Sequence, residues 1–405
     1  MYIPIIYAGP FPYGFASANR VLSYAVEMAK LGHEVHVLSL VTYNQPFTEQ
    51  ERADFMSRHA ITYKGIQVEY VSGTEFWPEG RGGKLKKLWL FIKGLRGSYR
   101  FLKKNRERVS FMLLYSTMPF LYSYFSSVAK RIDAQFIVER SELPSIAKEK
   151  EFYEKTIRGR SIIRRVKKSF KKPDGWILET QILADYYMPL AKKNASHLIV
   201  PMTVDIEKFS EPSKNDCEYT PYFAYCGNMS EVDGVSILIR AFADVSNEYP
   251  EYKLVLAGDS PEVPKQKELV HNLLKDDKII FLGRVSSNDV PQFLKNAYAL
   301  VLASPTSIRS CATMPCKVGE YLCASNPVVV TNLGEIPKYL TDGVSAYLAE
   351  PDSPVKFAES LLRVIRESPE VNERIGQSGY EVAVNNFNSE IQAKRILAYF
   401  SSLAN

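Results

Sequence analysis

The chain alternates short apolar runs with amphipathic stretches, which predicts strands and helices in turn. An apolar run at 3–8 leads through a loop with Gly14 into a stretch at 17–31 whose apolar residues share one helical stripe. Gly32 then stands where a helix-ending glycine is expected. The run at 35–40 predicts the next strand, and a strand, helix and strand in this order predict a parallel sheet.

The second half of the chain repeats this alternation, with apolar runs that begin near residues 223, 253, 279, 299 and 327. The pattern predicts an α/β protein with two Rossmann-like, doubly wound domains that face a cleft. The predicted parts are an N-terminal domain at 1–203, a polar linker at 204–220, a C-terminal domain at 221–385, and a helix at 386–405 able to pack back on the N-terminal domain.

Length and composition fit this scheme, because 405 residues exceed one ordinary core. No apolar run reaches the roughly 20 residues of a membrane span, and no signal peptide is recognisable, so we expect a cytoplasmic protein. Cys311 and Cys316 are spaced loosely like metal ligands, but no second pair follows, and neither a metal nor another cofactor is expected.

Charge is distributed unevenly along the chain. Residues 1–200 carry 32 Lys and Arg against 18 Asp and Glu, whereas the other 205 carry 19 against 27. The basic residues are concentrated in segments 84–108 and 158–172, where they alternate with Leu, Ile, Phe and Trp. Such helices suit the inner face of an anionic membrane, although a packed helix with a solvated basic face explains them too. Nucleic acid is not expected, because no recognition motif accompanies the charge.

The first glycine-containing loop predicts an anion site, since glycines before a helix let the backbone approach a phosphate. The sequence Gly9-Pro-Phe-Pro-Tyr-Gly14 lacks the spacing of the dinucleotide fingerprint, and no acidic residue ends the second strand. NAD binding is therefore disfavoured. A plain tight turn is the alternative for this loop.

An ordered series of short motifs runs through the second half: Tyr-Cys-Gly-Asn at 225–228, Asp-Gly at 233–234, Ala-Gly-Asp at 257–259, Gly-Arg-Val at 283–285, and Lys-Val-Gly-Glu at 317–320. Leu-Gly-His-Glu-Val at 31–35 and Val-Asp-Ile-Glu-Lys-Phe at 204–209 accompany it. Together these motifs resemble family 4 glycosyltransferases of the GT-B fold over nearly the whole chain. The resemblance implies transfer of a sugar from a nucleotide-diphosphate donor with retention and without an essential metal.

By this resemblance, Glu320 holds the donor ribose and Lys317, one helical turn earlier, meets the diphosphate. The remaining donor-binding residues that it implies are Gly14, Gly227, Asn228, Gly258, Asp259, Gly283, Arg284, Val285 and Arg309. A solvated helix glutamate and lysine are the alternatives for Glu320 and Lys317.

The chain departs from the family pattern at three positions. Ala312 replaces the first of two glutamates, and Asn228 and Asp233 or its neighbours stand where cations normally meet the diphosphate. Arg309 is the best-placed substitute cation by sequence. These departures put the usual leaving-group chemistry in question.

Glu139 and Glu142 follow a predicted strand end, where catalytic loops sit in such sheets. We predict that one of them positions an acceptor hydroxyl or stabilises charge at the anomeric carbon, with Lys317 as the third catalytic residue; an ion pair with Arg140 is the alternative. The predicted function is glycosyl transfer to a glycan or lipid-linked acceptor in surface polysaccharide or glycolipid synthesis. A nucleotide-sugar epimerase of the same fold and a non-catalytic subunit remain alternatives.

Overall fold

The computed structural model describes residues 1–13, 16–41, 46–74, 76, 83–213 and 218–404. The chain divides into two compact units. Unit 1 comprises Met1–Pro201 and Ser389–Asn405, and unit 2 comprises Met202–Asn388. The described part of the segment predicted as a linker lies in unit 2, where Val204 N donates to Phe387 O at 2.8 Å.

Unit 1 contains an eight-stranded sheet. Its strands are β1 Tyr2–Tyr7, β2 Glu34–Ser39, β3 Ala60–Tyr63, β4 Ile66–Tyr70, β5 Phe111–Tyr115, β6 Gln135–Arg140, β7 Gly175–Leu178 and β8 Ser196–Ile199. They lie in the order β3-β4-β2-β1-β5-β6-β7-β8, and all neighbours are parallel except β3 and β4. The central strands are buried and almost entirely apolar, as a sheet covered on both faces requires.

The helices of unit 1 connect and cover these strands. They are α1 Ala16–Lys30, α2 Glu49–Arg58, α3 Gly83–Lys104, α4 Pro119–Ile132, α5 Ser145–Lys148, α6 Lys150–Glu154, α7 Ile157–Ser169, α8 Gln181–Tyr187 and, from the end of the chain, α17 Ser389–Ala404. Helix α17 packs on this sheet, because Phe400 stacks on Phe111 with ring centroids 4.2 Å apart. Tyr399 OH also accepts a hydrogen bond from Trp176 N at 3.1 Å.

Unit 2 contains a six-stranded parallel sheet in the order β11-β10-β9-β12-β13-β14. The strands are β9 Tyr222–Asn228, β10 Lys253–Asp259, β11 Ile279–Gly283, β12 Ala299–Leu302, β13 Val328–Thr331 and β14 Tyr347–Ala349. The helices are α9 Val235–Glu248, α10 Val263–Asn272, α11 Val290–Lys295, α12 Ile308–Ala312, α13 Cys316–Cys323, α14 Ile336–Tyr339, α15 Pro354–Arg366 and α16 Pro369–Asn386.

The predicted fold class of two doubly wound, parallel-sheet domains is confirmed. Sequence reasoning missed strand β7 and the β3–β4 hairpin. The hairpin turns at Lys64 and Gly65, with φ of 47° and 84°. Positive φ at both central residues is typical of a type I′ turn, but Lys-Gly is a weaker signal for it than Asn-Gly.

Candidate functional site

Two partly exposed glycines are the second-last residues of the adjacent strands β9 and β10 in unit 2. Gly227 and Gly258 are paired across the strands and have φ of 152° and 144°. A Cβ on Gly258 would lie 1.8 Å from Gly227 O, and one on Gly227 would lie 2.0 Å from Lys317 Cε. Any larger residue would therefore displace either backbone or the lysine.

A cavity of about 310 Å³ opens at these strand ends, lined by Cys226, Gly227, Asn228, Ala257, Gly258, Asp259, Arg284 and Val285. Six of the predicted donor-binding residues thus lie together, although they come from three strand ends far apart in sequence. Gly283, with φ of 72°, directly precedes the last two lining residues. Such a location, at the carboxyl ends of parallel strands, is where doubly wound sheets bind ligands.

The Lys317 side chain lies against Gly227, which lines the cavity, and presents its ammonium to two partners. Its Nζ lies 3.0 Å from Asp233 Oδ1 and donates to Tyr225 OH at 2.9 Å. The same ammonium lies 5.0 Å from the centroid of the Tyr225 ring. Its side chain is 18% exposed, so the cation is restrained but still reaches solvent. This arrangement can meet an anion at the glycine-lined strand ends.

Asp233 and Tyr225 are the parts of this arrangement that sequence reasoning did not assign. Asp233 was noted only as a departure from the family pattern, whereas here its carboxylate pairs with Lys317. Its other oxygen, Oδ2, accepts from Ser230 Oγ at 3.1 Å. In the sequence, Tyr225 was noted only as part of the motif around Gly227. Its hydroxyl donates to Asn228 O at 2.5 Å. Burial raises the pKa of this hydroxyl.

Glu320 lies on the exposed side of α13, whose other side packs inward through Val318, Gly319, Tyr321 and Leu322. Surrounding protein raises the pKa of the Glu320 carboxyl by dehydration, while Lys208 and Lys317 oppose this shift. The residue remains accessible to solvent, which limits the shift. The charges of Glu320 and Lys317 both reach the cavity-lining Cys226 thiol, whose pKa is raised to about 11, chiefly by burial.

The region around Ala312 shows how the missing glutamate is accommodated. Ser307 and Ser310 form a reciprocal cap on the short helix α12, and the Ala312 side chain is buried with 1% exposure. A Cβ on Gly334 would lie 2.7 Å from Cys311 O, so this helix is packed tightly. Arg309, the predicted substitute cation, is exposed and does not line the cavity.

Arg284 forms a surface ion pair at the cavity. Its Nε lies 3.3 Å from Asp259 Oδ2, and the two side chains are 84% and 51% exposed. Such exposed pairs contribute only about 0–1 kcal/mol, so Arg284 can turn to another anion at little cost. Gly14, the other predicted donor-binding glycine, lies outside the described residues.

Glu139 is buried inside unit 1 and does not face solvent. Its Oε1 lies 2.7 Å from Arg20 Nε, and its Oε2 accepts from Tyr24 OH at 2.5 Å. Arg20 also donates to Val200 O and Pro201 O at 2.7 and 2.8 Å. The geometry gives Glu139 a structural role that ties α1 to the sheet, because both of its oxygens already have donors.

The alternative partner for these carboxylates, Arg140, is buried too and binds elsewhere. Its guanidinium donates to Tyr187 OH, Ser116 O and Glu142 O, each at 3.0 Å. The Glu142 side chain is 38% exposed and pairs with Lys148. Of the two predicted carboxylates, Glu142 is therefore the one that a solvent-borne group can reach.

Comparison with known proteins relates part of this chain to a family of glycosyltransferases. Residues 206–382 match the family model of Glycosyl transferases group 1. The chain is similar to sucrose-phosphate synthase from Thermosynechococcus elongatus, with a TM-score of 0.72 and 15% identity over 99% of each chain. Unit 2 thus carries a segment that matches the Glycosyl transferases group 1 model, and the chain shares the fold of solved glycosyltransferases, as the resemblance of its motifs predicted.

Two further proteins are similar to this chain, one in sequence and one in structure. An alpha-monoglucosyldiacylglycerol synthase of Streptococcus pneumoniae is 24% identical over 54% of this chain and 51% of that protein. The Anabaena protein HepE, solved with UDP, has a TM-score of 0.71 at 14% identity and covers 99% of this chain and 100% of its own. The chain spans about half the length of the curated synthase that it matches.

Among the described residues, no helix is both long enough and apolar enough to cross a bilayer.

Proposed function

We propose that this protein transfers a hexose from a nucleotide-diphosphate sugar to a glycan or lipid-linked acceptor. The observation that carries the proposal is the Lys317 ammonium held beside Gly227, at the glycine-lined ends of β9 and β10. A cation at this place can stabilise the diphosphate as it leaves the sugar. Its location within the segment that matches the family supports the same reaction.

The donor in this proposal is a UDP- or GDP-sugar, with Glu320 on the ribose. Glu320 is exposed, and its charge acts on the cavity-lining Cys226 thiol; a carboxylate can accept two hydroxyl hydrogen bonds at once. The complex of HepE with UDP supports a nucleotide donor. Retention of configuration and independence of a metal follow from the family resemblance; a full rate after EDTA treatment is the expected result.

On the acceptor side, we place the protein at the inner, cytoplasmic face of an anionic membrane, through segments 84–108 and 158–172. The excess of basic residues in unit 1 supports this location. The similar synthase is named for a glucosylated diacylglycerol, and this name supports a lipid-linked acceptor. Surface polysaccharide or glycolipid synthesis is the proposed setting.

The donor site is tested by thermal unfolding with UDP, GDP, ADP and their sugars, using wild type, Glu320→Ala and the control Glu373→Ala. A ligand that binds only the folded state raises the midpoint. One nucleotide should stabilise the wild type and Glu373→Ala, an exposed glutamate on α16, but not Glu320→Ala. No stabilisation by any nucleotide at millimolar concentration would refute the donor site.

A non-catalytic subunit is the second candidate, because Asp233 neutralises the Lys317 ammonium in this structure. The same nucleotide would then bind without being consumed. Incubation with the stabilising nucleotide sugar and a mixture of lipid and glycan acceptors separates the two. Release of nucleoside diphosphate that depends on acceptor identifies the enzyme, while tight binding without release favours the subunit.

A further inference from the structure

The N-terminal half of α3 carries large apolar side chains that face solvent. Leu85, Leu88, Trp89 and Ile92 are 77%, 57%, 59% and 40% exposed. Their spacing of three and four residues places them on one side of the helix. Single exposed apolar residues are ordinary, whereas a contiguous apolar patch marks an interaction site. These four residues are called the α3 stripe below.

The opposite side of α3 is fixed to the sheet of unit 1. A Cβ on Gly97 would lie 2.1 Å from Val71 O, and one on Gly94 would lie 2.8 Å from Leu40 O. The helix backbone thus rests directly on the chain that follows β4 and β2. Because α3 cannot turn without losing these contacts, packing itself holds the α3 stripe in solvent.

Only basic charges accompany the α3 stripe, since residues 83–104 contain neither Asp nor Glu. At about 100° per residue, Lys84 lies on one flank of the stripe, and Lys86 and Lys93 lie on the other. None of these three lysines pairs with a carboxylate in the described part of the chain. Lys93 Nζ lies 5.3 Å from the centroid of the Trp89 ring, so cation and aromatic ring present one surface.

We propose that the α3 stripe inserts into the interface of an anionic lipid bilayer while its flanking lysines contact the headgroups. Aliphatic and Trp side chains on such a helix lie at the boundary of headgroups and acyl chains, and lysine stems reach out to the phosphates. The exclusively positive flanks select an anionic surface. The inference rests on the membrane location given above and adds which residues enter the bilayer.

Helix α7 is the internal comparison, because it is as basic as α3 but buries its apolar side. Ile162, Ile163 and Val166 are half-buried, whereas its Arg and Lys side chains face solvent. Ile157 at its first position and Phe152 on the preceding helix α6 are 80% and 70% exposed, but these two residues do not form a helical stripe. We expect α7 to attract the membrane electrostatically without inserting.

The first experiment measures sedimentation of the full chain with vesicles of phosphatidylglycerol and phosphatidylcholine, and with phosphatidylcholine alone. The wild type should bind the anionic vesicles. The variant L85S/L88S/W89S/I92S should bind at least about 10-fold more weakly, because its insertion would no longer bury apolar surface. The control F152S/I157S, which removes an exposed apolar residue of α6 and one at the start of α7, should bind like the wild type.

Trp89 provides a direct reporter of insertion. Trp176 is fully buried, and Trp77, outside the described residues, is removed by W77F. In this background, the emission should shift to the blue on anionic vesicles and be quenched by lipids brominated in their acyl chains. An unchanged thermal midpoint of each variant confirms that the fold is retained.

Three outcomes overturn the proposal. Vesicle binding without a blue shift or quenching would show that charge alone holds the protein at the membrane. The membrane location would then stand, and insertion of the α3 stripe would be refuted. No binding to anionic vesicles would refute both the membrane location and the insertion. Loss of self-association in the stripe variant, with a wild type that ignores vesicles, would make the stripe an interface between copies of the chain. Nucleotide stabilisation tests the transferase independently of all three.

Discussion

Glu139 in unit 1 was predicted from its place at a strand end and Glu320 in unit 2 from the family resemblance, and the structure gives the two carboxylates opposite surroundings. Glu139 is fully buried, and both of its oxygens are bound by Arg20 and Tyr24. Glu320 is exposed and has no hydrogen bond within the described part of the chain. A carboxylate whose hydrogen bonds are satisfied internally stabilises a fold, whereas one left open can bind a ligand.

The difference arises from what each element packs against. Strand β6 lies inside the sheet, so Glu139 must face one of its covered sides, and only a cation there makes its burial tolerable. Helix α13 packs inward with one side alone, through residues such as Val318 and Leu322, which leaves Glu320 exposed. Neither the strand end at Glu139 nor the motif around Glu320 indicates whether the carboxylate is buried; its packing partners decide this.

The largest expected effect comes from breaking the buried pair. Arg20→Met leaves the Glu139 charge buried without its partner, and we expect a loss of about 3–5 kcal/mol in the free energy of unfolding, measured with denaturant. The double variant R20M/E139L should recover much of this loss, because it removes both charges. A stable Arg20→Met protein would show that the pair does not hold α1 to the sheet.

The next effect concerns the cation of unit 2. Lys317→Met removes the ammonium beside Gly227, and hydrogen bonds to charged groups are worth about 1.5–3 kcal/mol. Binding of the stabilising nucleoside diphosphate should therefore weaken by about 10- to 100-fold in calorimetry. The free nucleoside is the matched control and should bind equally well to both proteins. Equal weakening of both ligands would mean that the variant has damaged the cavity itself.

The raised pKa of Glu320 predicts a pH dependence in two readouts. A carboxyl with a folded-state pKa above its unfolded value favours the folded protein as the pH falls, since the folded state binds the proton more tightly. Glu320→Gln should therefore be more stable than the wild type at neutral pH and lose this advantage in acid. Wild-type nucleotide binding should weaken as the carboxylate is protonated, at a higher pH than for an ordinary glutamate.

The variant should lack that pH step in nucleotide binding, and Glu373→Gln should keep the wild-type profile. Identical stability profiles of wild type and Glu320→Gln would contradict a raised pKa.

Sequence reasoning succeeded where a pattern is local and failed where partners are distant. Alternating apolar runs predicted the parallel sheets, and short motifs at strand ends predicted six residues that line one cavity. The pairing of Glu139 with Arg20 joins positions 119 residues apart, and no local pattern encodes it. The pairing of Lys317 with Asp233 also joins positions remote in sequence. It depends on how segment 231–234 packs, since a Cβ on Gly234 would lie 1.8 Å from Ala303 O.

The smallest expected effect is the most informative about unit 2, because Asp233 and a bound diphosphate would compete for one ammonium. Asn in place of Asp233 keeps the shape and can still accept from Lys317, but it removes a negative charge that repels the ligand. The Lys317 and Asp233 side chains are 18% and 27% exposed, so solvent still screens their charges. At about 0.2–1 kcal/mol for a screened pair, Asp233→Asn should tighten nucleoside diphosphate binding by about 2- to 5-fold. The free nucleoside should be unaffected, and high salt should shrink the difference. Weaker diphosphate binding by Asp233→Asn would instead mean that the carboxylate positions Lys317 for the ligand. The aspartate at a position where the family has a cation would then favour diphosphate binding.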